Sequence, residues 1–170
     1  MTEAVSRGIL EAAAAGRITA TSAMTSLPDW PRAARAWADA APDADLGLHV
    51  TLTVGAPLAP MPRFAPGDQL PAIGGVAGAA LLRRLPLDEI EAEIGRQIDA
   101  FCAATGVAPS HVDGHQHVHV LPGVRDALFR ALARRGMEGM FLRDSSDAVR
   151  RIVARGAFAT KALQVNALAA

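Results

Sequence analysis

Apolar residues recur along residues 86–106 at Ile90, Ile94, Ile98 and Phe101, the repeat of a single helix face, and Gly106 follows as a stop. Weaker versions of the same rhythm predict three more helices. Residues 2–16 carry a Val5, Ile9, Leu10 stripe, with Thr2 as cap and Gly16 as end. Residues 29–44 have Pro31 near the first turn and Pro42 at the end, and residues 122–136 run from Pro122 to Gly136. Period-two or short apolar runs predict strands at 19–24, 45–55, 110–120 and 138–144. In the second of these, Leu48, Val50 and Leu52 alternate with His49, Thr51 and Thr53. Residues 55–86 hold six prolines and five glycines, which predicts a long loop with a single helical turn near Ala77–Leu82. A loop of that length usually carries function. From about Ser145 to Ala170 the pattern is weakly helical.

Strands alternating with helices imply βαβ units and an α/β fold built on a parallel sheet. Open or closed into a barrel, such a sheet gathers its chemistry at the carboxyl ends of its strands. The order opens on a helix, so a strand is expected ahead of it. With 170 residues the chain is one domain's worth, and 51% hydrophobic against 20% charged residues suits a globular protein. Seventeen basic residues balance seventeen acidic ones, which argues against a nucleic-acid partner. The arginines at 134, 135, 143, 150, 151 and 155 read as solvated faces. No apolar run reaches the ~18 residues of a membrane span, and no basic segment precedes an apolar core at the start, so a cytoplasmic location is the default expectation. Cys102 is the single cysteine, which excludes an internal disulfide or a multi-cysteine zinc site and suits a small core residue.

Four of the five histidines fall within "SHVDGHQHVHVLPGV": His111, His115, His117 and His119, with Asp113 among them. Read as one extended strand, all five residues share a face. Imidazole suits a divalent transition metal, and a carboxylate adds a hard oxygen. From 111 to 119 a straight strand spans roughly 27 Å, so at most two of these side chains share one ion and the others orient or transfer protons. Four alternating histidines around a carboxylate argue against plain surface polarity. His49, alone on its strand, reads first as a core or edge histidine. Only beside the second strand does it become a candidate ligand.

The same stretch resembles the His-x-Asp-x-His-x-His-x-His signature of the YdjC-like carbohydrate deacetylases. That group includes chitooligosaccharide deacetylases and hopanoid-biosynthesis-associated proteins. "LGLHVTLTVGAPLAPMP" resembles the family's Gly-Leu-His segment, and "VSRGILEAAAAGRITATSAM" resembles its first helix and second strand. The three segments stand in family order and cover about residues 1–145. The resemblance implies a partial (β/α) barrel-like sheet of the NodB-like deacetylase type, a single incomplete domain over residues 1–170 lacking the first strand and the C-terminal part. It implies metal ligation by His49 and His115, with His111, Asp113, His117 and His119 as catalytic candidates. The implied cofactor is a divalent cation, Mg2+ first and Zn2+ or another transition metal next. The implied substrate is a small acetamido sugar or glycolipid-like molecule that loses its N-acetyl group to a metal-activated water. Self-association into a homo-oligomer is left open.

Two family segments have no counterpart here: the opening Asp-Asp-Phe-Gly strand, a source of a further ligand and a base, and a later Cys-His-Pro segment. Met1 falls about where the first would end, so a piece of a longer protein or a mis-assigned start is expected. Two competing readings remain. One is a metal-binding remnant of the same family without activity. The other is a histidine-triad nucleotide hydrolase, suggested by "HQHVHVL" but poorly matched at Gln116, at the upstream His111 and Asp113, and in the helix after Pro122.

Overall fold

The computed structural model describes residues 3–40, 42–145 and 149–155. In chain order the elements are α1 (Glu3–Ala14), β1 (Ala20–Ala23), α2 (Trp30–Ala40), β2 (Asp45–Val50), α3 (Ile73–Leu81), α4 (Leu87–Thr105), β3 (His111–Gly114), α5 (Val124–Ala133), β4 (Phe141–Leu142) and α6 (Val149–Arg155). All four strands run parallel in the order β1-β2-β3-β4. The expected α/β class with a parallel sheet is therefore observed, and each strand lies beside its predecessor as in part of a barrel. The Thr2 cap and the tail beyond residue 155 lie outside the described residues.

Packing follows from the period-two pattern. Leu46, Leu48 and Val50 of β2, Val112 of β3 and Leu142 of β4 enter one apolar core with Ile90, Ile94, Ile98 and Phe101 of α4 and Val124 and Leu128 of α5. Helix α4 lies against both α2 and α5. Each fully buried isoleucine contributes roughly 1.5–3 kcal/mol, so the α4 stripe is a main attachment of this layer to the sheet. Gly106 closes α4 at φ 75°, with its N–H on the Cys102 carbonyl. Cys102 itself is half-buried against the core. The alternate positions, Ser22, Gly47, His49, His111, Asp113, Phe141 and Arg143, fall on the opposite face of the sheet.

Three sequence expectations need correction. Strand β2 ends at Val50 rather than 55, because the N–H and C=O of Thr51 pair with the side chain of Gln97 on α4 instead of with another strand. The segment 55–86 holds more than a helical turn. Val76 and Ala80 of α3 bury against the core, and that burial stabilises a helix of nine residues despite its three glycines.

The third correction concerns the histidines. Only His111 and Asp113 share a strand face; the chain leaves the sheet at Gly114, and residues His115–Val120 form a tight 3-10 segment. Gln116 (φ 52°) and His117 (φ 61°) are both left-handed there. The chain reverses because it must deliver Val118 and Leu121 to the core and start α5 after Gly123. Hence the 27 Å separation of a straight strand does not apply. Glycine tolerates this conformation without the Cβ penalty of about 1–2 kcal/mol. Gln116 is exposed, so Gln116→Gly is expected to raise stability by about 0.5–1 kcal/mol in urea denaturation. An unchanged or lower midpoint would show that the turn is unstrained at 116.

Candidate metal-binding site

The register places His49 directly beside Asp113 across the β2–β3 pair. Their side chains meet on the open face of the sheet, where His49 Nδ1–H donates to Asp113 Oδ1 at 2.6 Å. Ser22, one strand further, lies 3.3 Å from the same nitrogen through its hydroxyl. Arg143, just past β4, stands 3.6 Å from Asp113 Oδ2. Burial alone would push the Asp113 carboxyl up. The hydrogen bond and charge of His49, the Ser22 hydroxyl and Arg143 outweigh it and hold the group below the usual carboxylate range. An ionised Asp113 accepts only, so it selects the Nδ1–H tautomer of His49 and leaves Nε2 with the lone pair a metal uses.

The tight turn after β3 then brings His115 to His49. Their ring centres lie 5.6 Å apart at 70°. Two imidazoles sharing one ion at about 2.1 Å metal–nitrogen distance have ring centres on the order of 5–6 Å apart, so this pair is spaced as co-ligands are. Among the described residues, no group of three or more His, Cys, Asp or Glu side chains is arranged to hold an ion. Among the described residues, the candidate donors here are two imidazoles, with a carboxylate behind one of them.

The other histidines are placed differently. His117 Nδ1 and the Ser145 hydroxyl are 3.2 Å apart, and the same hydroxyl lies 3.3 Å from His119 Nε2. His119 is buried and its Nε2–H donates to the Arg143 carbonyl at 3.0 Å. Its Nδ1 has no protein hydrogen-bond partner, and a Cβ at position 114 would lie 2.7 Å from it, so Gly114 makes room for the ring. These two rings therefore tie the turn to the segment after β4. His111 sits nearer the start of β3, with Nδ1 2.9 Å from the Ser110 hydroxyl and its ring over Gly47, where any Cβ would come within 2.5 Å. It borders the His49–Asp113–His115 group without joining it. Sequence reading missed Ser22, Arg143 and Ser145. The strand face supplies a signal for the first two, since both occupy the alternate positions that His49 and Asp113 occupy. Nothing local marks Ser145.

A family model described as YdjC-like protein matches residues 1–169. A chitooligosaccharide deacetylase of Enterobacter sp. (strain 638) is 35% identical over 130 residues, 76% of this chain and 50% of that protein. One from Proteus mirabilis (strain HI4320) is 36% identical over 118 residues, 66% of this chain and 44% of that protein. This chain thus spans about half the length of the curated relatives it matches. Among solved structures, a protein of Enterococcus faecalis V583 provisionally described as a cellobiose-phosphate cleavage protein superposes with TM-score 0.68 at 24% identity, over 97% of this chain and 59% of that one. That likeness establishes the fold.

Burial holds the pKa of His119 below its ordinary value. The unfolded chain therefore takes up a proton near pH 6.5 before the folded one does. The stability tied to the neutral ring is complete above that pH and declines below it. Thermal unfolding of wild type and His119→Gln between about pH 7.5 and 5.5 is expected to show the wild-type advantage shrinking as the pH falls. A difference independent of pH would contradict a buried neutral ring.

Proposed function

Because the chain belongs to the YdjC-like family, we propose that it carries the histidine half of the metal site of a carbohydrate deacetylase acting on small acetamido sugars. The observation that carries this reading is the His49–His115 pair with Asp113 behind it. The relatives named chitooligosaccharide deacetylase support the substrate class. A divalent cation, Mg2+ or a transition metal such as Zn2+, would polarise the acetamide carbonyl and lower the pKa of a bound water. His49 Nε2 and a ring nitrogen of His115 would hold it.

The remaining work falls to this chain's own side chains. Asp113 keeps His49 in the ligating tautomer, and its Oδ2, turned toward Arg143, is the oxygen not committed to that task. His117 and His119 hold the turn that presents His115. His119 Nδ1 is buried with no protein hydrogen-bond partner, and burial favours the neutral ring. His111 would border the sugar's approach along the sheet face. A further ligand would come from a segment resembling the family's Asp-Asp-Phe-Gly strand.

The second reading, metal binding without turnover, draws on the two-imidazole donor set among the described residues. Two measurements separate the readings. His49→Ala and His115→Ala are each expected to weaken binding of a divalent cation about 100-fold or more in calorimetric titration. Unchanged binding in both would remove the site. Acetate release from N-acetylated chito-oligosaccharides is expected from a chain extended by a strand ending in Asp-Asp-Phe-Gly ahead of Thr2. Metal binding without acetate release from the extended chain would favour the inactive remnant.

A further inference from the structure

One face of α4 carries Glu89, Glu93 and Gln97 at i, i+4 and i+8, and all three take backbone N–H groups from the segment that follows β2. Gln97 is fully buried. Its Oε1 accepts the Thr51 N–H at 3.0 Å and its Nε2 donates to the Thr51 carbonyl at 2.8 Å. The carboxamide thereby satisfies both backbone groups of one residue as a neighbouring strand would. Glu93, also fully buried, accepts the Leu58 N–H at 3.1 Å and the Gln97 Nε2–H at 3.0 Å. Arg96 neutralises its charge at 2.8 Å. Glu89 accepts the N–H groups of Arg63 and Phe64 at 3.2 and 2.9 Å. Sequence separations of 25 to 46 residues are thus closed by side chains rather than by a strand ladder.

Thr51 lies two residues after His49, and the chain bends away from the sheet there. A buried backbone N–H and C=O without partners would each cost free energy, so the position of Thr51 is dictated by Gln97. We propose that Gln97 is a positioning residue: it fixes the end of β2 and so the placement of the His49 ring against Asp113 and His115. Glu93 and Glu89 extend the clamp along the segment to Phe64. The inference rests on the reading of His49 as a metal ligand only for its functional consequence, since the geometric claim stands on the Gln97–Thr51 pairing.

The test uses the full chain and Co2+ as the probe ion. Gln97→Met keeps the side-chain volume and removes both bonds to Thr51. Gln97→Asn keeps the carboxamide one methylene short and serves if Gln97→Met does not fold. Ile98→Val, a core change on the next residue of α4, controls for general loosening. The Gln97 variant is expected to move the His49 ring resonances in NMR and to weaken Co2+ binding about tenfold, with both unmoved in Ile98→Val. His49 resonances that stay in place in the Gln97 variant, or move equally in Ile98→Val, would overturn the proposal. If the wild type does not bind Co2+ while the His49 resonances respond to Gln97 alone, the positioning role stands and the metal reading fails.

Discussion

The hydrogen bond from His49 Nδ1 to Asp113 Oδ1, 2.6 Å long between neighbouring strands, sets the chemistry of the sheet's open face. A parallel ladder fixes which residues stand side by side, and the register His49↔Asp113 leaves the imidazole one tautomer to adopt beside an ionised carboxylate. Every other contact in the group serves that arrangement. Ser22 and Arg143 help keep the carboxylate charged, and the turn at Gln116 and His117 carries His115 to within 5.6 Å of the His49 ring, centre to centre. Half-buried charge pairs of this kind are weak contributors to stability once desolvation is counted, so their value lies in direction. They aim a lone pair.

The rest of the molecule supplies rigidity on the other side. The Ile90–Ile94–Ile98–Phe101 stripe lies in one core with Leu48, Val50 and Val112 of the sheet's apolar face, and α4 lies against β2. The same helix turns its polar row toward the segment after β2 and satisfies the backbone where no strand can. One helix thus serves both the core and the margin of the site. The price is a buried carboxylate at Glu93, offset by Arg96 and by the Leu58 N–H.

Much of this was legible in the residues. The 3.6-residue repeats located all four expected helices, and the period-two alternation located the strand that carries His49, whereas its place on the open face came only with the register. The family resemblance paired His49 with His115, and the structure brings those two rings together. Part of what was hidden arises because backbone partners come from far along the chain. Gln97 ends β2 from 46 residues away. The histidine run looked like a strand because its alternation was regular, yet the sheet ends at Gly114 and two left-handed residues fold the run back. Helix α3 was masked by its glycines and is held by burial of Val76 and Ala80. His117 and His119 carried the same sequence signal as His115, and the structure places them beside Ser145 and the Arg143 carbonyl.

Asp113, ionised beside the ring, selects the Nδ1–H form of His49 and leaves the lone pair on Nε2. Long-range proton–nitrogen correlation NMR of the imidazole, at a pH where the ring is neutral, reads the tautomer directly. The wild type is expected to show a protonated Nδ1 and an unprotonated Nε2, with that preference weakened in Asp113→Ala. A proton on Nε2 of His49 in the wild type would contradict it.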